Sequence, residues 1–149
     1  MLLVEILGEI LMERSLVLIK PDAVENNVIG KIISCYENAG IKIKALKLLT
    51  ATEELASRHY EEHKGKSFYD TLIKYITRGP LCALIVEGDG VIDKVRKING
   101  STNPKTAEIG TIRKMYAKSI TENCVHASDG EESAKREIAI WFPDEINKE

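Results

Sequence analysis

Ser15-Leu16-Val17-Leu18-Ile19-Lys20-Pro21 joins a short, almost wholly apolar run to a proline. A strand that is covered on both faces of a sheet has such a run, and a proline cannot continue it. The stretch therefore predicts a central strand that carries Lys20 at its end. A second apolar run, Leu81 to Val86, predicts another strand just after the turn signal Gly79-Pro80.

The segments between these two runs are mainly helical in spacing. Apolar residues recur at helical intervals from Val28 to Ala39, with Gly40 as the stop, and again from Thr52 to Tyr60. A further helix is predicted to open at Ser67, in a capping-box arrangement with Asp70. The intervening segment, Ile41 to Leu49, predicts a strand in which a bulge near Ala45 keeps the apolar residues on one face.

The C-terminal half continues with a short helix at Val91 to Ile98 and then a stretch, Asn99 to Lys118, that has little periodicity. A loop of that length in a compact domain usually has a function. Ser119 to Val125 predicts a brief strand, and Ser128 or Asp129 is expected to cap a final helix that carries Ala134, Ile138 and Trp141.

This order of elements predicts an α/β or α+β domain with a four-stranded sheet. The pattern does not reveal the strand directions.

At 149 residues, with 44% hydrophobic and 30% charged residues, the chain fits one ordinary folded domain and has no segment that approaches a membrane span. The net charge of −2 makes nucleic acid an unexpected main partner. The odd number of cysteines, without metal or redox spacing, indicates buried thiols in a reducing compartment, and we expect the protein in the cytoplasm.

Residues 1–12 form a separate N-terminal extension in this interpretation. Leucine and isoleucine pairs alternate there with Glu5 and Glu9, and no cation precedes Arg14, so a secretory signal is a poor fit. Either the segment packs as an amphipathic helix or strand against the body or a neighbouring subunit, or Met12 is the true start.

Asn123-Cys124-Val125-His126-Ala127-Ser128-Asp129 places one histidine between a short apolar run and the start of a helix. A histidine at such a position can act as base, ligand or covalent nucleophile, or simply as a surface imidazole. The heptapeptide resembles the active-site signature of the nucleoside diphosphate kinases, Asn-x-x-His-(Gly or Ala)-Ser-Asp, in which the histidine is phosphorylated.

The resemblance extends from Arg14 to Phe142 without insertion or deletion. Ile19-Lys20-Pro21-Asp22-Ala23 looks like the first-strand motif of the family, with Ala23 and Ala127 at positions where glycine is usual. Further matches follow in order: Tyr60, Phe68, Leu72, Gly79-Pro80, Arg96, Gly100-Ser101-Thr102-Asn103-Pro104, Gly110-Thr111-Ile112-Arg113, Glu137 and Trp141-Phe142.

The resemblance implies one domain at 13–149 with a ferredoxin-like α+β fold, an antiparallel four-stranded sheet flanked by helices. It also implies a homo-oligomer, with a hexamer expected ahead of a tetramer, whose hexameric contacts lie around Pro104.

The resemblance also implies a role for each site residue. The phosphates are assigned to Arg96, Thr102 and Arg113, the region of the sugar 3′-hydroxyl to Lys20 and Asn123, and the base to Phe68, with Leu72 beside it. The Tyr60 hydroxyl is a further polar group of the expected site. Since the chain has no glycine-rich phosphate loop, side chains must hold the phosphates.

The expected reaction moves the γ-phosphoryl group from a nucleoside triphosphate, typically ATP, to a nucleoside diphosphate through phosphohistidine at His126. Glu137, supported by Ser128, is expected to hold the opposite ring nitrogen. Mg²⁺ is expected as the cofactor, carried on the nucleotide phosphates rather than by metal ligands of the protein. Stacking on Phe68 does not read base edges, so base selectivity should be low.

Two alternatives start from other features. His59-Tyr60-Glu61-Glu62-His63 satisfies the inverted zinc-peptidase pattern His-x-x-Glu-His, with His126 as a possible third ligand. We expect instead that His59 and His63 lie on a helix surface near the pocket wall. The chain could also bind nucleotides as a regulator without turnover, although it keeps both His126 and Glu137.

Overall fold

The computed structural model describes residues 12–147, so most of the predicted N-terminal extension lies outside the described residues. The strands are β1 (Glu13–Ile19), β2 (Lys42–Leu49), β3 (Leu81–Gly88) and β4 (Val125–Ala127). The helices are α1 (Pro21–Glu25), α2 (Ile29–Asn38), α3 (Glu53–His59), α4 (Tyr69–Thr77), α5 (Val91–Asn99), α6 (Ile112–Tyr116) and α7 (Glu131–Trp141), with 3-10 turns at Glu61–His63 and Pro143–Asn147.

The four strands form one sheet in the order β2-β3-β1-β4, and every neighbouring pair is antiparallel. This is the ferredoxin-like α+β arrangement, so the predicted fold is confirmed. The pairing of β2 with β3 shifts register between Ile43 and Ala45, which confirms the predicted bulge. The register also pairs Leu18 of β1 with His126 of β4 and so fixes the position of the histidine on the sheet.

Strand β1 is the centre of the core, as its apolar run predicts. Residues 16–19 have no exposed surface. Val17 and Ile19 pack in a cluster with α2 and α5, while Leu16 and Leu18 pack in a second cluster with α3, α4 and α7. Successive side chains of a strand point to opposite faces, so both faces of the sheet are covered by helices.

Two predicted helix starts differ from the structure. Helix α4 begins at Tyr69 after Phe68, without a side-chain cap, so the expected capping box is wrong. The cap of α7 is Gly130 rather than Ser128 or Asp129. The Ser133 hydroxyl accepts hydrogen bonds from the Asp129 and Gly130 backbone N–H groups and so takes over the cap from inside the helix.

The last strand also differs from the prediction, because it covers 125–127 and not Ser119 to Val125. The Lys118 and Ser119 N–H groups bond to the Glu122 carbonyl in a turn. Cys124 has a φ of 71°, a left-handed conformation that interrupts extended backbone. The aperiodic stretch before it contains one regular element, α6, which Thr111 caps. Within residues 12–147, no helix has the length and apolar character to cross a membrane.

Candidate active site

A cleft of about 1080 Å³ opens beside the end of β1 and beside β4. Its wall includes eight of the residues that the sequence singles out: Lys20, Tyr60, Arg96, Thr102, Arg113, Asn123, His126 and Glu137. Phe68, Leu72 and Ser128 do not line this cleft. Residues separated by more than a hundred positions are brought together here because β1 and β4 are neighbours in the sheet.

His126 lies on β4 with 24% of its side chain exposed. Its Nε2 is 2.8 Å from Oε1 of Glu137, which is on α7 about two turns after the helix begins and is 6% exposed. The carboxylate accepts a hydrogen bond from Nε2–H, so this nitrogen carries the proton of the neutral ring. Within residues 12–147, Nδ1 has no hydrogen-bond partner in the structure, and it is the nitrogen that remains for chemistry.

Glu137 is itself fixed through Ser128, which is hydrogen-bonded to the central strand β1. The Ser128 hydroxyl donates to Glu137 Oε1 at 2.8 Å and accepts from the Leu16 N–H at 3.1 Å. The other carboxylate oxygen lies 3.8 Å from the Arg136 guanidinium. The sequence did not indicate a role for Arg136, because this residue belongs to no motif and is notable only as the neighbour of Glu137. These contacts hold the charged carboxylate in one orientation beneath the imidazole.

Lys20 and Asn123 form a pair at the side of the cleft. The Lys20 ammonium donates to the Asn123 amide oxygen at 2.9 Å, and both side chains are buried. Burial and then the positive charge of Arg113 lower the pKa of Lys20 to about 8, although Asp22 acts in the opposite direction. Lys20 is therefore a cation near neutral pH that loses its charge at moderately alkaline pH.

The backbone turn that leads into β4 is also held by the first-strand motif. The Lys20 N–H donates to the Cys124 carbonyl at 2.7 Å, and the Cys124 N–H donates to Asp22 Oδ2 at 3.1 Å. Asp22 also accepts a hydrogen bond from the Tyr75 hydroxyl. Burial and the Asp22 carboxylate raise the pKa of the Cys124 thiol to about 12. The thiol therefore keeps its proton, and the backbone hydrogen bonds of Cys124 hold a left-handed turn two residues before His126.

Arg113 ties the aperiodic loop to the histidine strand. Its guanidinium donates to the carbonyls of Gly100 at 2.7 Å, Val125 at 2.8 Å and Asn123 at 3.3 Å. Three of its five N–H groups are used in this way, and two remain for a ligand. The sequence did not indicate this structural task. Arg96 is less constrained, because within residues 12–147 the one hydrogen bond of its side chain, to the Asp129 carbonyl, is 3.4 Å long.

Tyr60 presents a hydroxyl that is buried and that has no hydrogen-bond partner among the described residues. Burial and then the charge of Glu137 raise its pKa, so the hydroxyl keeps its proton. A buried donor without a partner is costly to leave unsatisfied. Its place on the cleft wall makes it a ready hydrogen-bond donor for an anionic ligand.

The sequence interpretation of His59 is wrong, because this residue is 4% exposed and not on the helix surface. The Trp141 indole N–H donates to His59 Nδ1 at 3.0 Å, and the His59 ring lies edge-to-face with the His126 ring at a centroid distance of 4.5 Å. Burial, followed by the charges of His126 and Lys20, lowers the pKa of His59 well below 6.5. Apolar Ala56, three residues earlier, was the available signal, since residues at i and i+3 share one face of a helix and Ala56 is buried.

The alternative zinc-peptidase pattern does not assemble as a site. Among the described residues, the histidine, cysteine and carboxylate groups close enough to share a metal ion are His59, His126 and Glu137. His63 is outside this group, and the Glu62 side chain is 75% exposed beside Arg136. Hydrogen bonds to Trp141 and Glu137 already occupy one nitrogen of each of the two histidines.

Phe68 and Leu72 lie apart from the reacting centre. Phe68 is 45% exposed, which fits the expected platform, and its ring is 5.3 Å from the ring of His63 on the cleft wall. Leu72 is partly buried and packs against the core cluster on the α3 and α4 side of the sheet. Phe68 lies just before the first turn of α4, and Leu72 lies within that helix. The first side chain can therefore be exposed while the second packs against the core.

Comparison with known proteins identifies the family. The family model described as nucleoside diphosphate kinase matches residues 13–146. The chain belongs to the nucleoside diphosphate kinase family. A nucleoside diphosphate kinase of Clostridium perfringens is 61% identical over 132 residues, which are 89% of this chain and 92% of the relative. One from Caldanaerobacter subterraneus is 50% identical over 137 residues, or 92% of this chain and 99% of the relative.

A solved structure agrees with the family assignment. The nucleoside diphosphate kinase of Aquifex aeolicus, in an orthorhombic crystal form, superposes with a TM-score of 0.85 at 36% identity and covers 88% of this chain and 95% of its own. Membership of this family makes the chain an enzyme, a phosphotransferase of nucleotide metabolism.

The two alanines that replace family glycines leave the backbone unstrained. Ala23 lies within α1 and Ala127 within β4. In the part of the chain that the structure describes, the residues other than glycine with positive φ are Asn27 and Cys124. Neither alanine therefore adopts a conformation that only glycine tolerates.

Proposed function

We propose that the chain transfers the γ-phosphoryl group of a nucleoside triphosphate to a nucleoside diphosphate in a ping-pong cycle through phosphohistidine at His126. The observation that carries the proposal is the hydrogen bond between His126 Nε2 and buried Glu137, which leaves Nδ1 available on a histidine that lines a cleft of cations and hydroxyls.

In the first half-reaction, the Nδ1 lone pair attacks the γ-phosphorus while the bond from the γ-phosphorus to the β,γ-bridging oxygen breaks. The nucleoside diphosphate leaves with that oxygen. The ring keeps its proton on Nε2 and becomes a cation, which the Glu137 carboxylate stabilises at 2.8 Å. In the second half-reaction, a terminal oxygen of another nucleoside diphosphate attacks the same phosphorus and the N–P bond breaks, which returns the neutral ring.

Three side chains that line the same cleft are proposed to hold the phosphates: Arg96, Thr102 and Arg113. The loose transition state spreads negative charge over the equatorial oxygens, and guanidinium groups neutralise such charge at any working pH. The Tyr60 hydroxyl would donate to the transferred group and gain the partner that it lacks. The buried Lys20–Asn123 pair would contact the sugar 3′-hydroxyl and the nearby phosphate oxygen.

Mg²⁺ is proposed to arrive with the nucleotide. The metal-compatible group His59, His126 and Glu137 contains two imidazoles and one carboxylate, whereas Mg²⁺ prefers oxygen ligands in octahedral geometry. This donor set is unsuited to the ion, so phosphate oxygens and water would supply its ligands. When bound there, Mg²⁺ would offset negative charge on the phosphates.

Low base selectivity is proposed because the exposed ring of Phe68 offers a stacking surface and no hydrogen bond to a base edge, with Leu72 four residues later in α4. Purine and pyrimidine nucleotides should therefore compete with similar affinity.

A homo-oligomer is proposed, and a hexamer ahead of a tetramer. Strand β2 forms an edge of the sheet and exposes 53% of Leu46 and 59% of Leu48. Ile109, in the loop beyond Pro104, is 94% exposed. Apolar side chains on an open strand edge and on a protruding loop are typical of surfaces that another subunit covers.

We also propose that 13–149 is one catalytic domain and that it works in the cytoplasm. The free thiols Cys35, Cys82 and Cys124 support a reducing compartment.

The test of this function is to incubate the purified protein with γ-labelled ATP and Mg²⁺, remove the nucleotide, and measure acid-labile, base-stable label. His126→Ala should take up no label, whereas His63→Ala, which removes another histidine of the cleft wall, should still be labelled. The label should pass to added GDP and CDP alike. An unlabelled wild-type protein that still binds nucleotide would contradict the proposal and favour a regulator.

A further inference from the structure

We infer that His59 is a positioning residue for the phosphorylated histidine: it is fixed as the neutral Nε2–H tautomer by Trp141 and holds the His126 ring at the angle that presents Nδ1 to the cleft. This inference rests on the proposed function of His126. It concerns a residue outside the catalytic set that the family resemblance implies.

The need for such a residue follows from the geometry of His126. Its ring is attached at Cβ and hydrogen-bonded at Nε2, and the two attachments lie at opposite ends of the ring. The ring can still pivot about the line between them, and such a pivot swings Nδ1 across the cleft. In-line attack requires the lone pair to stay aligned with the phosphorus. A neighbouring ring in van der Waals contact restricts the pivot.

His59 provides that contact. Its ring lies at an interplanar angle of 82° to the His126 ring with the centroids 4.5 Å apart. It also packs edge-to-face against Tyr60 at 4.7 Å and against Trp141 at 5.5 Å. Edge-to-face rings at these distances attract one another and have little room to rotate. His59 is thus itself immobilised and can transmit that rigidity to His126.

The charge and tautomer of His59 are also specified. The Trp141 N–H can only donate, so the His59 Nδ1 that accepts it at 3.0 Å carries no proton, and the single ring proton lies on Nε2. A neutral ring adds no positive charge beside a nucleophile that must itself keep one nitrogen unprotonated. Its low exposure excludes water that would favour protonation.

Two substitutions distinguish the role of the His59 ring from the role of its hydrogen bond to Trp141. His59→Asn keeps an acceptor for Trp141 but removes the ring from beside His126. His59→Phe keeps an aromatic ring but removes the acceptor. The control is Thr52→Ala, which removes the cap of the same helix, α3, at the end remote from His126.

The measurement is the single-turnover rate of label transfer from γ-labelled ATP to His126, together with the equilibrium affinity for ADP. We expect His59→Asn to be labelled about 10- to 100-fold more slowly with unchanged affinity for ADP. His59→Phe should recover most of the rate, and Thr52→Ala should have the wild-type rate.

A wild-type labelling rate in His59→Asn would overturn the inference, and so would equal rates in His59→Phe and His59→Asn. Failure of the proposed function is distinguishable, because the wild-type protein itself would then take up no label.

Discussion

Lowering the pH should destabilise the protein through one buried histidine. The pKa of His59 in the folded protein is well below 6.5, mainly because of burial and secondarily because His126, Lys20, Arg136 and His63 add positive charge nearby. In the unfolded chain the same imidazole titrates near its ordinary value of about 6.5. Below that pH the unfolded state binds a proton that the folded state does not, so the free energy of unfolding falls as the pH falls.

The magnitude follows from linkage. Protonation of the unfolded chain at pH 5.5 removes up to RT ln(1 + 10), or about 1.4 kcal/mol, relative to pH 7.5, where the effect is under about 0.1 kcal/mol. For a chain of this size the difference is equivalent to about 3 to 6 °C in Tm.

The assay is urea unfolding at the two pH values and at one protein concentration, monitored by the fluorescence of Trp141, the single tryptophan, and by circular dichroism. His59→Asn should lose less stability than the wild type between pH 7.5 and pH 5.5, by up to about 1.4 kcal/mol. The matched control, His63→Asn, removes a half-exposed histidine and should keep the wild-type loss. The same pH-dependent loss in His59→Asn and wild type would refute the argument that His59 is held neutral.

Three further predictions concern other parts of the site. Glu137→Gln should slow label formation on His126 by about 10²-fold with little change in nucleotide affinity, because it removes the charge that stabilises the cationic ring; an unchanged rate in a single-turnover assay would contradict this. Titration calorimetry should find that ADP affinity of the free enzyme falls by up to about tenfold per unit above pH 8, as Lys20 loses its proton, and that Lys20→Arg removes this dependence. Gly100→Ala should cost about 2 to 4 kcal/mol in urea unfolding, because its Cβ would lie 2.5 Å from the Thr111 hydroxyl, whereas Gly110→Ala, which has a similar φ and open space, should cost about 1 to 2 kcal/mol; equal costs would exclude the steric reason.

The predictable parts of this protein are those encoded by short-range patterns. The apolar run of β1, the helical spacing that ends at Gly40 and the bulge near Ala45 depend on neighbours within a few residues, and all three are confirmed. The caps of α4 and α7 were wrong because several adjacent hydroxyl and carboxylate side chains could serve, and spacing does not choose between them. The predicted strand from Ser119 to Val125 was wrong because Cys124 adopts a left-handed conformation, and β-propensity does not reveal such a residue.

The sequence by itself determined the family, the fold and the set of candidate residues, since these follow from motifs whose order along the chain is enough. Only the tertiary structure decided how those residues act on one another. Trp141 binds His59 across 82 positions, and Ser128 bonds to Leu16 across 112. Arg113 donates three N–H groups to backbone carbonyls that no sequence motif connects with it. Such contacts depend on which strands and helices become neighbours, and a pattern with a period of two or 3.6 residues carries no information about partners that distant.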